Sequence, residues 1–304
     1  MSQPCIQLIG LDLDGTVFRD DKTISPATIN AIRAAITQGI TVIPATGRPL
    51  SGLSDQILEI PGIRYALCSN GAKIYDLKDA LLDPPILSDD RFNKLDQTHA
   101  HVIYENLLPL DTTLDVLSVT TKNPAVLSEI FMDGFGYSQW EGFQASLVRY
   151  EGTPLYRYIV KTRVPMKNMP ETIRKRGLPI EKMHILYPDQ PTRDQSLKEL
   201  TAHVPDCCIA DSNNMNLEIT AATANKGTAL LALASMLGIP AQNVMACGDS
   251  GNDLAMIKAA GYGIAMGNAS EKVKKAADAV TLSNNEDGVA AAINALLSPA
   301  AGLS

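Results

Sequence analysis

The stretch IQLIGLDLDGT, residues 6–16, decides the fold of this chain. It is almost continuously apolar until Asp12 and Asp14, which is typical of a strand buried on both faces of a parallel sheet. Two acids that are two residues apart leave a strand on the same face, here at the carboxyl edge where open α/β sheets bind ligands. Asp14-Gly15 alone could be a simple turn. Two carboxylates in one pocket repel each other, however, and a hard cation with oxygen ligands would remove that repulsion.

The order of strand, helix and strand occurs twice in the chain. Ser25-Pro26 predicts the start of a helix with Ser25 as its N-cap, and Ile40 to Ala45 predicts the strand that follows. Near the other end, Lys226 to Leu237 predicts a helix and Val244 to Cys247 predicts a buried strand. We therefore predict an α/β fold with a doubly wound, mainly parallel Rossmann-like core sheet.

The middle of the chain has a different pattern. Alternating segments such as Tyr156 to Lys161 and Met183 to Tyr187 are separated by proline-rich turns. This pattern predicts an inserted α+β domain with an antiparallel sheet. We assign residues 1–86 and 223–304 to the core and residues 87–222 to the insert.

Composition limits the classes of function. The 304 residues suggest two domains, or one large domain with an insertion, and a formal net charge of −7 argues against binding to nucleic acid or to an anionic membrane surface. The five cysteines show no CxxC spacing and no basic-then-apolar leader precedes the first strand, so we expect a cytoplasmic protein. The most apolar long stretch, Gly288 to Leu303, is shorter than the roughly 20 residues that span a bilayer, and it predicts a terminal helix.

Two further groups of polar residues lie next to predicted elements of the core. Thr46-Gly47-Arg48 follows the second strand and offers a hydroxyl, a backbone amide and a cation, which are groups that bind phosphate. Lys226-Gly227 opens the helix after the insert, where an ammonium group and helix amides could hold an anion. Taken singly, the first group could be an ordinary turn and the lysine a solvated surface charge.

A third polar group, Gly248 to Asp253, follows the last buried strand named above and contains two carboxylates and an amide. A calcium loop of the EF-hand type would need a different spacing of acids and a terminal Glu, which this segment lacks. All these groups fall at the same predicted edge of the sheet. Independent turns would rarely coincide in this way, so the joint pattern predicts a single site.

At this point the sequence resembles the haloacid dehalogenase superfamily. The motifs that carry the resemblance are Asp12-Leu13-Asp14-Gly15-Thr16, Thr46, Lys226, and Gly248-Asp249 through Asn252-Asp253. Further features resemble the Cof-type capped phosphatase subgroup, namely Ala45 to Arg48, Ser69-Asn70-Gly71-Ala72, Asn225-Lys226-Gly227 and Gly263 to Ala269. The motifs cover the two core halves, whereas the likeness of residues 87–222 to the subgroup's cap rests on position and pattern.

The resemblance implies a magnesium-dependent phosphatase that hydrolyses a small phosphorylated metabolite, such as a sugar phosphate. Asp12 would attack phosphorus and form an aspartyl phosphate, and Asp14 would act as general acid and then general base. Asp12, Asp249 and, as the family implies, the backbone carbonyl of Asp14 would hold Mg²⁺.

The resemblance also assigns the remaining residues of the site. Thr46, Gly47, Lys226 and Asn252 would bind the phosphoryl oxygens. Asp253 would lie on a metal-bound water or support the metal ligands indirectly. Arg48 would contact the substrate or form a structural ion pair.

Two other functions are compatible with these residues. A phosphotransferase or sugar phosphomutase would use the same aspartyl phosphate and pass it to a hydroxyl group. A phospho-accepting regulatory module would also phosphorylate Asp12. Asp14 argues against the module because it would speed dephosphorylation, and the insert has no evident use in a simple receiver.

Overall fold

The computed structural model describes residues 5–88, 91–210 and 215–298. Contacts divide the chain into two compact units. The first unit comprises residues 1–46, 53–104 and 225–304, and the second comprises residues 47–52 and 105–224. The predicted division into a catalytic core and a cap, with boundaries at 86/87 and 222/223, remains a prediction.

The helices and strands are numbered in chain order. The strands are β1 (Leu8–Leu11), β2 (Thr41–Pro44), β3 (Tyr65–Cys68), β4 (Lys73–Asp76), β5 (Leu81–Ser88), β6 (Arg91–Leu95), β7 (His101–Glu105), β8 (Leu127–Met132), β9 (Phe135–Gln139), β10 (Arg163–Met166), β11 (Lys182–Leu186), β12 (Cys207–Ala210), β13 (Asn216–Ala221), β14 (Val244–Gly248), β15 (Tyr262–Ala265) and β16 (Ala279–Val280). The helices are α1 (Pro26–Thr37), α2 (Asp55–Leu58), α3 (Leu110–Thr120), α4 (Trp140–Arg149), α5 (Pro154–Thr162), α6 (Met169–Arg176), α7 (Gln190–His203), α8 (Lys226–Met236), α9 (Leu254–Ala259), α10 (Glu271–Lys274) and α11 (Gly288–Leu297).

The first unit is organised around a five-stranded sheet in the order β16-β15-β14-β1-β2. Every neighbouring pair in this sheet is parallel. All four residues of β1 are buried, as are all five of β14, because these central strands are covered on both faces. The predicted fold class, an α/β fold with a mainly parallel core sheet, is confirmed.

The caps of α1 and α8 explain where these helices begin. Ser25 Oγ accepts a hydrogen bond from Thr28 N, and Pro26 takes the first helical position. Asn225 caps α8 in the same way by accepting from Thr228 N. Because the cap fixes the start of α8, Lys226 becomes its first residue and lies fully buried.

The second unit contains a six-stranded sheet in the order β10-β9-β8-β11-β13-β12. Its pairs are antiparallel except for β9 and β10, which run parallel. One face of the sheet carries Ile130, Met183 and Ile219, which pack with apolar residues of α3, α6 and α7 in a hydrophobic core. The predicted α+β character of the insert is therefore present in this unit.

One segment of the second unit differs from the sequence prediction. The alternating pattern of Tyr156 to Lys161 suggested a strand, but these residues lie in α5. A Thr-Pro start overrides the alternation, because Thr153 Oγ1 accepts a hydrogen bond from Tyr156 N and proline suits the first helical position. Met183 to Tyr187, by contrast, corresponds to β11.

Charged residues lie on the other face of this six-stranded sheet. Glu129 alternates with Ile130 along β8, so its side chain points away from the hydrophobic core. Its carboxylate accepts hydrogen bonds from Arg163 Nε at 2.9 Å and Nη2 at 3.1 Å, and it lies 3.2 Å from His184 Nδ1. Burial alone would raise the pKa of Glu129, but Arg163 and His184 hold it well below its usual value. The carboxylate is therefore ionised at neutral pH.

The C-terminal helix α11 begins at Gly288, as predicted, and ends at Leu297. The rest of the predicted helix, residues 299–303, lies outside the described residues. Within the described ranges, every helix is too short or too polar to cross a membrane.

Candidate active site

The carboxyl ends of the two central strands of the first unit lie side by side. β1 ends at Leu11 and β14 at Gly248, and the two strands are paired in parallel. Asp12 N donates a hydrogen bond to Cys247 O at 3.0 Å, which continues the pairing by one residue. Asp12 and Asp249 therefore follow neighbouring strands at the same edge of the sheet.

Three carboxylates converge at this edge. Asp12, Asp249 and Asp253 each have one carboxylate oxygen within 4.8 Å of the other two. Asp12 and Asp253 are buried, and Asp249 is partly buried. The sequence predicts that the acids after these two strands lie at one site, and the structure brings Asp12, Asp249 and Asp253 together.

Lys226 joins two of the three acids. Its Nζ donates a hydrogen bond to Asp12 Oδ1 at 2.6 Å and another to Asp253 Oδ1 at 2.7 Å, and its side chain is completely buried. Burial alone would lower the pKa of Lys226, but the two carboxylates raise it above its usual value. The ammonium group is therefore charged and held in one place.

Asp253 supports the loop that carries Asp249. Its Oδ2 accepts hydrogen bonds from Asp249 N and Ser250 N, both at 3.0 Å, while its Oδ1 is bonded to Lys226. Since both oxygens accept hydrogen bonds from the chain, Asp253 is better suited to hold its neighbours in position than to bind a ligand directly.

The electrostatics of the cluster favour a cation. Burial raises the pKa of Asp12, and the nearby carboxylate of Asp253 raises it further. Burial, again with a contribution from Asp253, raises the pKa of Asp249 to about 6. One contacting ammonium group, that of Lys226, does not balance three carboxylates, so a bound cation with a preference for oxygen would stabilise them.

The backbone at Gly15 is shaped around the carboxylate of Asp249. Gly15 has φ +84°, and a Cβ atom there would lie 2.6 Å from Asp249 Oδ2. Thr16 Oγ1 donates a hydrogen bond to Asp249 Oδ1 at 3.1 Å. The loop after β1 thus closes directly onto the acid that follows β14, and the donor set, rich in carboxylate oxygen, fits a hard divalent cation.

Asp14 lies in a different environment from Asp12. Its side chain is 42% exposed and accepts a hydrogen bond from Lys22 Nζ at 3.1 Å. The carboxylate of Asp12, by contrast, is 7% exposed and bonded to Lys226. A buried and fixed carboxylate suits a nucleophile, whereas a solvent-accessible one suits proton exchange with water.

Thr46 and Asn252 are both linked to the turn Ser69–Gly71. Thr46 is buried, and its backbone oxygen accepts a hydrogen bond from Asn70 N at 3.1 Å. Asn252 Nδ2 donates a hydrogen bond to Asn70 Oδ1 at 3.2 Å. This turn therefore connects two residues that were assigned to the phosphate.

Gly47 and Arg48 belong to the second unit. Arg48 Nη1 donates a hydrogen bond to Gly52 O at 3.2 Å, and its guanidinium lies 5.2 Å from the centre of the Tyr158 ring. Through these contacts the Arg48 side chain packs against residues of the second unit. The roles of Gly47 and Arg48 toward a substrate stay predictions.

Sequence reasoning did not assign roles to three residues that contact the predicted site. Thr16 stands within the quoted motif, and its hydroxyl was the available signal for its contact with Asp249. Asn70 was noted only as part of a turn motif, although an Asn in such a turn has a polar side chain to place. Lys22 gave no signal, because a lysine eight residues from Asp14 is expected to be solvated.

Comparisons with known proteins give matches over nearly the whole chain. A family model described as haloacid dehalogenase-like hydrolase matches residues 9–293. The phosphatase YwpJ of Bacillus subtilis is 32% identical over 303 residues, which cover 96% of this chain and 100% of the relative. The 5-amino-6-(5-phospho-D-ribitylamino)uracil phosphatase YcsE of the same organism is 30% identical, with 95% of this chain and 94% of the relative covered. A solved haloacid dehalogenase-like hydrolase from B. subtilis has a TM-score of 0.77 and 27% identity, covering 96% of this chain and 100% of that structure.

Proposed function

The chain belongs to the haloacid dehalogenase-like hydrolase family and is a phosphatase, and from this premise we propose that it is a magnesium-dependent phosphomonoesterase acting through an aspartyl phosphate. The observation that carries the proposal is the buried contact of Lys226 Nζ with Asp12 and Asp253 beside Asp249. An ammonium group fixed next to a buried carboxylate both orients a nucleophile and attracts a phosphate dianion.

The metal would be held by Asp12, Asp249 and the backbone carbonyl of Asp14. When bound, Mg²⁺ supplies positive charge that offsets the repulsion between a carboxylate nucleophile and the phosphoryl oxygens. Burial and then the nearby carboxylate of Asp253 raise the pKa of Asp12 and of Asp249, and a cation held between these two acids would stabilise their ionised forms.

Hydrolysis would take place in two displacements. In the first, a carboxylate oxygen of Asp12 forms a bond to phosphorus while the bond from phosphorus to the leaving oxygen breaks, and Asp14 gives that oxygen a proton. In the second, Asp14 takes a proton from water as the water oxygen attacks phosphorus. The bond to Asp12 breaks, inorganic phosphate leaves and both carboxylates return to their starting states.

Residues around the nucleophile would hold the phosphoryl oxygens in line. Lys226, Thr46, Asn252 and Gly47 would donate hydrogen bonds to them, and Asp253 would keep Lys226 in place. The link of Thr46 and Asn252 through Asn70 supports placing these two residues together. Arg48 would contact the substrate or serve a structural role in its own unit.

The substrate would be a small phosphorylated metabolite of the sugar or sugar-alcohol class. The relative YcsE is named for a substrate whose phosphate is carried on a ribityl chain, which supports this class for the present chain. Contacts to the leaving group would come from the insert, residues 87–222. All five cysteines are free thiols, which suits an enzyme of the reducing cytoplasm.

The test of this proposal is phosphate release from a panel of phosphorylated metabolites, with and without Mg²⁺ and without an added acceptor. We expect release of inorganic phosphate from sugar or sugar-alcohol phosphates in the presence of Mg²⁺. If no inorganic phosphate is released and the phosphoryl group is instead transferred to an added acceptor alcohol, the chain is a phosphotransferase. If no ester is hydrolysed but Asp12 becomes stably phosphorylated, a regulatory role replaces the enzymatic one.

Substitution of the two acids after β1 separates their roles. Asp12→Asn removes the nucleophile, so neither a phosphoenzyme nor turnover should be detectable. Asp14→Asn keeps the nucleophile and should lower the rate by about 10²–10⁴-fold, the usual contribution of general acid-base catalysis. With a substrate whose leaving group needs little protonation, labelled phosphate should accumulate on Asp12 in the Asp14→Asn variant. Rapid quench and peptide mapping measure this, and label on another residue would contradict the assignment.

A further inference from the structure

The turn that follows β3 has an unusual backbone. Ser69, Asn70 and Gly71 have φ of 52°, 58° and 94°, so three consecutive residues adopt the left-handed region. This region is favourable for glycine and tolerated by asparagine, but it costs a serine of order 1–2 kcal/mol. All three residues are buried. Backbone strain of this kind persists only where the surrounding structure requires it.

The surroundings of this turn show why it is held. Asn70 N donates a hydrogen bond to the backbone oxygen of Thr46, the second residue after the end of β2. A Cβ atom on Gly71 would lie 2.3 Å from Asn225 O, at the residue that precedes Lys226. The turn is therefore fitted against two segments of the site, and its position is fixed on both sides.

The side chain of Asn70 reaches a third segment. Asn252 Nδ2 donates a hydrogen bond to Asn70 Oδ1 at 3.2 Å, across a sequence separation of 182 residues. At its other end, Asn252 Oδ1 accepts a hydrogen bond from Ser250 Oγ. An amide side chain has a donor end and an acceptor end, and a partner at each end decides which way it points. The Ser250 hydroxyl can donate or accept, so Asn70 Oδ1, which can only accept, is the partner that selects this orientation of the Asn252 amide.

We propose that Asn70 is a positioning residue that fixes the Asn252 amide so that its nitrogen donates to a phosphoryl oxygen. The inference rests on the proposed function, in which Asn252 binds the phosphate. Nδ2 carries two hydrogens, and the contact with Asn70 uses one of them, which leaves the second to donate to a ligand. A flipped amide would turn its carbonyl oxygen toward the phosphoryl oxygens, and two acceptors repel each other. The strained turn Ser69–Gly71 holds the side-chain oxygen of Asn70 in place, and this contact prevents the flip of the Asn252 amide.

The first test removes the acceptor Asn70 Oδ1 and keeps the backbone conformation of the turn. Glycine adopts the left-handed region without strain, so Asn70→Gly deletes the contact with Asn252 while preserving the turn. We expect kcat/KM for phosphate esters and the affinity for inorganic phosphate, measured by calorimetry, to fall roughly 10- to 100-fold, as when a hydrogen bond to a charged group is lost. The matched control is Asn168→Gly, since Asn168 has φ 46° and lies at the start of α6, where its side chain makes no capping hydrogen bond. This control should retain the wild-type affinity for inorganic phosphate, which has no leaving group.

The second test asks whether Asn70 acts through Asn252. In an Asn252→Ala background no amide remains to be oriented, so adding Asn70→Gly should produce no further loss of phosphate affinity. Equal losses from Asn70→Gly in both backgrounds would overturn the inference, because they would indicate a general structural role. An unchanged affinity in Asn70→Gly alone would overturn it as well.

The calorimetric cycle uses inorganic phosphate as the probe and does not depend on turnover. If the wild-type protein hydrolyses no ester, the proposed function fails, yet the coupling of Asn70 to Asn252 in phosphate binding is still measured. If turnover is normal but the two substitutions are additive, the positioning role fails and the proposed function stands. Circular dichroism and thermal unfolding of each variant establish that the fold is retained.

Discussion

Replacing Lys226 with methionine should destabilise the first unit strongly. Methionine has a similar length, so Lys226→Met removes the charge and two hydrogen bonds, of 2.6 and 2.7 Å, while it largely fills the same space. Each hydrogen bond to a charged group contributes about 1.5–3 kcal/mol, and breaking a buried ion pair costs about 3–5 kcal/mol. We therefore expect the free energy of unfolding to fall by about 4 kcal/mol, a large part of the 5–15 kcal/mol that is usual for a folded protein.

Urea denaturation at pH 7.5 in the presence of a chelator measures this loss. With a slope of about 2 kcal/mol per molar urea, the midpoint of the transition that unfolds the first unit should fall by roughly 2 M. Because the carboxylates raise the pKa of Lys226 above its ordinary value of 10.5, the stabilisation is present throughout the neutral range and is lost only at strongly alkaline pH. The matched control is Lys258→Met, an exposed lysine of α9, which should leave the midpoint unchanged. An unchanged midpoint for Lys226→Met would refute the reasoning that the buried ammonium group holds the acid cluster together.

Three further predictions concern the loop after β1, the second unit and the metal. Gly15→Ala should abolish phosphatase activity, because its Cβ would lie 2.6 Å from Asp249, whereas Gly39→Ala, with φ +83° and open space around it, should cost only the backbone strain and keep activity. Arg163→Met should lower the free energy of unfolding by about 3–5 kcal/mol at pH 7. Arg163 stabilises only the ionised form of Glu129 and thereby lowers its pKa, so the penalty should shrink as pH falls below about 4.5. The urea midpoints of the wild-type protein and of Arg163→Met should therefore approach each other between pH 7 and pH 3. Finally, excess chelator should abolish phosphate release and added Mg²⁺ should restore it, and full activity in chelator would contradict the metal assignment.

Local sequence signals predicted the architecture of the first unit well. A continuous apolar run predicts a strand that is buried on both faces, and residues 8–11 form one. The Ser25-Pro26 start of α1 follows from the capping hydrogen bond of serine and from the fixed φ of proline. The strand prediction for residues 156–161 was wrong, because alternation over six residues does not distinguish a strand from a helix. The Thr-Pro pair before the segment starts a helix instead.

The sequence predicts which residues lie at the candidate site, but it does not predict the hydrogen bonds between their side chains. Parallel strands bring their carboxyl ends to one edge of the sheet, and this rule alone predicts that Asp12 lies near Asp249. The hydrogen bond between Asn70 and Asn252 joins residues 182 positions apart through side chains whose directions depend on packing. The exposure of Asp14 and its contact with Lys22 likewise depend on the course of a turn, which the spacing of two acids does not specify.

Because β1 lies between β2 and β14 in the sheet, one of its edges stays unpaired during most of the synthesis of the chain. Leu8 pairs with Thr41 on one side, which is synthesised soon afterwards, and with Val244 on the other, which comes late in translation. At about 5–20 residues per second, the second edge of this apolar strand waits unpaired for on the order of 10–40 s. An open strand edge is a template for pairing with another chain. The yield of soluble protein should therefore depend on translation rate, temperature and chaperone supply, even though the finished sheet has this edge fully covered.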